Sequence, residues 1–302
     1  AGDADLMVQL EERGELPIRV YNALVPEALD DLIARKIWSV NDGKVETRAV
    51  KFYVDGALGS RGAALAAPYA DDPSSKGLLL ISEQDAKAAW QKALDNGIQV
   101  TTHAIGDRGN ALVLQWYTDV LRNFNNKDYP RWRIEHAQIV NPDDYHLFYD
   151  LGVIASMQPS HAIGDLHFAP DRLGMDRLNG AYAWRSLMDA DAILVGGSDA
   201  PVERGDPMVE FYAAVAREDL TGFSGPGWHP EEVLTREEAL RIFTYNPAIA
   251  SYNEDKLGQL KIGRKADISI FSANIMTIEA DQIPLTKAVM TIVDGEIVFE
   301  GK

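Results

Sequence analysis

The sequence predicts an α/β protein built on a parallel sheet, and three observations predict it. Strand-like and helix-like segments alternate through most of the 302 residues, at a spacing that joins parallel strands by right-handed helical crossovers. The strands are short apolar runs, as expected when both sheet faces are covered. No Gly-x-Gly-x-x-Gly follows any strand, so the dinucleotide-binding form of such a sheet loses support. Six strand–helix units are countable, which suits a (β/α)8 barrel lacking two units or an open doubly wound sheet.

The chain opens on "AGDADLMVQLEERGEL", polar and acidic, which reads as the inside of a helix followed by a turn. Residues 16–24 read as a strand and 26–38 as a helix; 48–58 are the next strand. Residues 82–97 form an amphipathic helix with a Ser N-cap and a terminal Gly. A strand at 98–106, a helix at 108–124 and a strand at 131–138 follow. The 141–152 helix has Asn at its N-cap, Pro at its first position and Gly at its end. Then come a strand (153–160), a helix (179–192), a strand (193–200) and a helix (235–250) that a Thr235/Glu238 capping box opens. Residues 221–230, rich in Gly and Pro, read as a loop near the mouth of the sheet. Beyond residue 255 apolar residues alternate with period two, and Asp294-Gly295 reads as a tight hairpin turn. We therefore divide the chain into residues 1–254, the strand–helix body, and 255–302, a small β appendage.

Hydrophobic residues make up 46% of the chain, enough for a sizeable core. The formal net charge of −17 argues against nucleic acid or an anionic membrane as partner. A small molecule is the expected ligand. The absence of cysteine excludes disulfides, thiolate nucleophiles and Cys-ligated zinc. No apolar run approaches the roughly 20 residues that span a bilayer, and no signal peptide is visible. With no initiator Met the chain is expected to lack its true N-terminus, so its compartment stays open, with the cytoplasm as the default.

In a parallel barrel, chemistry sits at the C-terminal strand ends. Lys51, His103, His136 and Asp199 fall near such ends. His103 and His136 are 33 residues apart, about one strand–helix unit, and His136 and Asp199 are 63 apart, about two. Two imidazoles and a carboxylate from neighbouring strands can converge on one divalent ion, and an Asp beside it can take a proton from water whose pKa the metal lowers. Each residue also has a bland role. A lone His at a strand end is more often hydrogen-bonded structure, Asp199 in "GSDAP" can cap a turn, and Lys51 can pair with a carboxylate. Nearby, Arg61 in "DGALGSRG" can meet a substrate carboxylate or amide, or else pair with Asp55. Gln158 and His161 follow a strand and can touch substrate. His146 reads as surface, and Trp116, Tyr117 and Trp184 as core.

Seven segments in order, "VKFYVDGALGSRGAAL", "THAIGDRGN", "RIEHAQ", "ASMQPSH", "VGGSDAPVE", "YNPAIA" and "GQLKIGRKADI", resemble the amidohydrolase superfamily. More narrowly they resemble its family 3, typified by N-substituted formamide deformylases. The resemblance implies a (β/α)8 barrel with a small β-sandwich, and hydrolysis of an amide or related C–N bond by metal-activated hydroxide. It implies that Lys51 matches a lysine that can be carbamylated to bridge two metals, that His103 and His136 match ligands on two successive strands, and that Asp199 matches the aspartate that touches metal and shuttles the proton. Zinc is the default metal; iron, manganese or nickel would fit. The family's His-x-His pair at the end of the first barrel strand is absent, the first histidine being His103. The expectation is thus an incomplete barrel holding strands 3–8 and a C-terminal remnant of the sandwich, a fragment of a larger hydrolase. Its site should be empty or part-filled, its hydrolysis impaired, and its open sheet edges able to pair with another copy. A non-catalytic binding or assembly role, or lactone or phosphotriester hydrolysis on the same metal centre, are the rival expectations.

Overall fold

The computed structural model describes residues 2–122, 124, 130–225 and 228–301. Ala1, Asn123, Pro226, Gly227 and Lys302, which expected segments included, lie outside the described residues. The elements in chain order are α1 (Gly2–Glu12), β1 (Val20–Leu24), α2 (Leu29–Arg35), β2 (Trp38–Val40), β3 (Val45–Tyr53), α3 (Glu83–Asp95), β4 (Gln99–Ala104), α4 (Asp107–Leu121), β5 (Arg133–His136), α5 (Tyr145–Leu151), β6 (Ile154–Met157), α6 (Pro159–Asp165), α7 (Ala169–Leu173), α8 (Trp184–Asp189), β7 (Leu194–Gly196), α9 (Pro207–Ala216), α10 (Arg236–Phe243), α11 (Tyr245–Ala250), β8 (Ile268–Phe271), β9 (Ala288–Val293) and β10 (Glu296–Glu300).

Six strands lie parallel in the order β1-β3-β4-β5-β6-β7, and β2 pairs antiparallel with β3. The curled sheet is half of a barrel rather than a doubly wound layer. β1 and β7 each have one neighbour in it, so among the described residues it does not close. The C-terminal strands form a separate three-stranded antiparallel sheet, β10-β9-β8. Asp294 (φ 57°) and Gly295 (φ 86°) both take the left-handed conformation that a two-residue hairpin needs. The ion pair of Arg19 with Asp267 ties the approach to β1 to this sheet.

Local chemistry explains the helix ends. Ser82 Oγ accepts from Asp85 N at 3.1 Å to start α3, which turns Ala86, Trp90 and Ala93 inward. Asn141 accepts from Asp143 N, and Gly152 ends α5 in the left-handed conformation. The Thr235/Glu238 capping box is formed.

Several expected elements differ in extent: the 16–24 strand begins at Val20, the 48–58 strand runs Val45–Tyr53, and the 193–200 strand keeps only Leu194–Gly196. The 26–38 helix stops at Arg35 because Lys36 turns to φ 64°, and Trp38–Val40 joins the sheet instead. The 153–160 strand yields at Pro159, which opens α6. The 179–192 helix keeps only Trp184–Asp189. The 235–250 helix breaks at Thr244, which leaves helical geometry (φ −128°, ψ −78°). α9 carries no expected pattern. Met208 to Ala214 are all buried, and a helix covered on every side loses the amphipathic period.

Strand register sorts the side chains into two rows. Phe52, Thr102, Ile134, Ala155 and Leu194 are paired neighbours facing the helices, and all are buried. Behind them Trp90 packs against Phe52, Trp116 and Tyr117, and Tyr117 Oη bonds Thr102 Oγ1 at 2.7 Å. The other row lines the concave face, where Lys51, His103, Arg133, Glu135 and Ser156 are only partly buried while Thr101, Ile154 and Val195 are covered. α11 closes one end of that face. Ala250 packs with Ile154 and Val195, and Gln99 and Arg131 donate to the carbonyls of Ala250 and Ile249.

Candidate metal centre

Three histidines meet at the C-terminal mouth of the concave face. The rings of His103 and His136 lie 4.5 Å apart, edge to face, and the His161 ring stacks on His136 at 5.8 Å. His103 is in the concave row. His136 pairs in register with Ala104, on the helix-facing row, yet its ring reaches His103. The backbone accounts for this: His136 (φ 78°) and Ala137 (φ 42°) both leave the strand for the left-handed region, and strain of that kind gathers at functional sites.

Hydrogen bonding decides which ring nitrogens are free. His136 Nδ1 lies 2.7 Å from Gln158 Oε1, so Nδ1–H donates to the amide oxygen and Nε2 carries the lone pair. The Nε2 atoms of His103 and His161 are buried with no hydrogen-bond partner among the described residues. Burial, helped by the neighbouring His136 and Lys51, pushes His103 down to about 3. Burial pushes His136 down to about 4 and His161 down as well. The rings are therefore neutral near pH 7, the state in which imidazole binds a metal. Asp199, three residues beyond β7 at φ 56°, is near enough for its charge to act on both His103 and His161. The Lys51 ammonium lies 5.2 Å from the Tyr53 ring and acts on both His103 and His136. These donors suit a divalent ion, but among the described residues no three His, Asp or Glu stand together as a ready coordination group.

A family model described as "Amidohydrolase family" matches residues 1–299. The chain belongs to the amidohydrolase family. It is 30% identical over 303 aligned residues to the putative amidohydrolase YtcJ of Bacillus subtilis (strain 168), covering 99% of this chain and 56% of that protein. It is 28% identical over 206 residues to the N-substituted formamide deformylase of Arthrobacter pascens, covering 68% and 37%. An uncharacterized metal-dependent hydrolase of Pyrococcus horikoshii superposes with a TM-score of 0.76 at 32% identity, over 86% of this chain and 51% of that one. This amidohydrolase chain thus spans about half the length of the curated relatives it matches or less.

The amidohydrolase brings together Lys51, His103, His136, His161 and Gln158. Arg61 is engaged elsewhere, in a two-pronged ion pair with Asp71 at 2.9 and 3.1 Å, and not with Asp55. The parts played by three residues escaped the sequence. Gln158 was expected to touch substrate, and in the fold its amide oxygen also bonds the His136 ring. Asp55, 1% exposed, accepts from the amides of Ala64, Ile105 and Gly106 and lies 3.5 Å from His103 Nε2. Its carboxylate joins the loops after β3 and β4, and burial pushes it up to about 6. The loops approach so closely that a Cβ at Gly106 would meet Ala64 O at 2.0 Å. Glu203, whose Oε1 is 3.9 Å from His161 Nε2, had no signal beyond its place four residues after Asp199.

Proposed function

We propose that this chain is a metal-dependent hydrolase of amide or other C–N bonds, of the N-acyl or N-formyl kind, acting on a small molecule. One observation carries this most: His103 and His136 stand 4.5 Å apart, with His103 Nε2 unpartnered and His136 Nδ1 already given to Gln158. His103 and His136 would hold the ion, with Asp199 beside it; Lys51, if carbamylated, would add a fourth donor. When bound, the ion, zinc by default for such donors, supplies Lewis acidity and lowers the pKa of water.

The chain's own groups do the rest. Gln158 keeps the Nε2 lone pair of His136 turned outward. Asp199 takes the proton from the attacking water and returns it to the leaving nitrogen, a cycle that leaves the carboxylate as it began. Asp55 holds the loop that follows His103 through the amides of Ile105 and Gly106. With two imidazoles and Asp199 as donors, these residues would hold one ion rather than two, and hydrolysis would be slow.

Metal content per chain, measured by plasma mass spectrometry after zinc loading and desalting, tests this. About one ion per chain is expected, falling to near zero in His103→Ala. No zinc in the unsubstituted chain would sink the metal centre. A turnover screen of N-formyl amides against lactones and phosphotriesters then separates the bond classes that such a centre can serve.

The lack of a ready three-donor group among the described residues favours one rival, a non-catalytic barrel used for assembly. The free edges of β1 and β7 would then pair with a second copy. Light scattering that finds only monomer would end that rival.

A further inference from the structure

Beside the histidines lies a cavity of about 180 Å3 that the hydrolytic step does not use, between α6, the loop after β7 and the start of α9. Ser160, Glu203, Arg204, Asp206, Glu210 and Asp219 supply its polar lining. Two of the carboxylates are committed to backbone. Asp206 caps α9 through Met208 N, and Asp219 accepts from the amides of Thr221 and Phe223 and from His167.

Ser160, Glu203 and Glu210 are different. Glu210 and Ser160 are each 3% exposed. Glu210 Oε2 accepts from Ser160 N at 2.9 Å, but no ion pair reaches either Glu210 or Glu203 from Lys or Arg among the described residues. Arg204, the one Lys or Arg among the described lining residues, is exposed. Burial pushes Glu210 up to about 7 and raises Glu203, with Asp199 adding to the latter. The Ser160 hydroxyl sits near enough to Glu210 to offset part of that burial, yet it reaches no hydrogen bond of good geometry and is left buried without a partner. A buried carboxylate beside a half-buried one, with no Lys or Arg counter-ion and next to an orphaned hydroxyl, is costly in a folded chain. A cation seated among them removes both costs.

We propose that this cavity is a subsite for a cationic arm of the substrate, a primary alkylammonium group. Its three N–H donors match Glu203, Glu210 and the Ser160 hydroxyl as acceptors. Glu203 links the two places, since it lines the cavity and faces His161. The subsite names the substrate class of the hydrolase proposed above and rests on that assignment: amides with one arm that ends in an ammonium group.

Calorimetric titration of the full chain at about pH 8, without added metal, is the test. N-(4-aminobutyl)formamide and butylammonium should bind, and their neutral counterparts N-butylformamide and 1-butanol should bind at least about tenfold more weakly. Glu203→Gln, at a half-buried position, should weaken the ammonium ligands about tenfold. Glu210→Gln should do the same, with its circular dichroism spectrum checked against the unsubstituted chain. Equal binding of charged and neutral ligands, no binding of either, or unchanged ammonium affinity in Glu203→Gln would overturn the subsite. The readout needs neither metal nor turnover. A chain that takes up zinc but ignores butylammonium loses only the subsite, and one that binds butylammonium but no zinc loses the hydrolase.

Discussion

The two faces of the parallel sheet are made by alternate residues of the same strands, and they have opposite fates. Toward the helices, Val50, Phe52, Val100, Thr102, Ile134, Ala155 and Leu194 are each 2% exposed or less. On the concave face, Lys51, His103, Arg133, Glu135 and Ser156 remain partly open. Their polar groups bond one another: Arg133 Nε donates to Glu135 at 2.8 Å, and Tyr21 and Arg133 both donate to Gln99 Oε1. Burial works to raise the Glu135 carboxyl, but Arg133 beside it holds it below the usual range. One face is held by apolar burial throughout, and the other by an apolar patch under α11 together with charge pairing around a site. Substitutions should therefore separate stability from binding according to the face they strike.

Trp90→Ala should strike the helix-covered face hardest. Trp90 is fully buried among Phe52, Trp116 and Tyr117, and its loss should cost about 3–5 kcal/mol in denaturant unfolding. A cost under about 1 kcal/mol would break the comparison, because the helix layer would then not be the core. Gln158→Leu should do the reverse. It frees the His136 ring, so zinc affinity by competitive titration should fall about 10–100-fold, while unfolding free energy stays within about 1 kcal/mol.

Asp165 sharpens the boundary between the two. It is held by Gln138 Nε2 at 3.0 Å and by the Tyr182 hydroxyl, and burial pushes it from 3.8 up to about 6. A carboxyl raised on folding contributes stability that is complete below its unfolded value and is lost as pH rises through its folded value. Its contribution should fade from about pH 4 to pH 6, and Glu210, raised to about 7, acts in the same direction. Asp165→Asn should flatten the decline of unfolding free energy across pH 4–7 by roughly 1–3 kcal/mol; an unchanged slope would show that Asp165 is not the titrating group. The smallest effect belongs to Thr235→Ala, which removes the α10 capping box and should cost about 1 kcal/mol by thermal melting, with zinc binding unchanged.

Much of the fold was legible because it is locally written. Ser82, Asn141 and Thr235 mark helix starts through their own side-chain bonds, and Trp116, Tyr117 and Trp184 read correctly as core. The misses are equally physical. Lys36 turns against a helical pattern because the sheet takes Trp38–Val40. α9 has no polar face because it is enclosed, so its signal vanished. At the site, strand ends announced His103 and His136. The Gln158 bond to His136 joins residues 22 apart, and the Glu210 bond to Ser160 joins residues 50 apart. Spacing encodes neither.

By itself the sequence determined the alternation of strands and helices, the caps, the Asp294-Gly295 turn and the residue types at the strand ends. Periods of 2 and 3.6 and single side-chain bonds act within a few residues, so they can be read in order along the chain. Only the tertiary structure decided that His136 swings out of its row to meet His103, that Arg61 goes to Asp71, and that Glu203, Glu210 and Ser160 close around one cavity. Those outcomes depend on which loops the sheet register brings together and on backbone strain that the surrounding packing sustains.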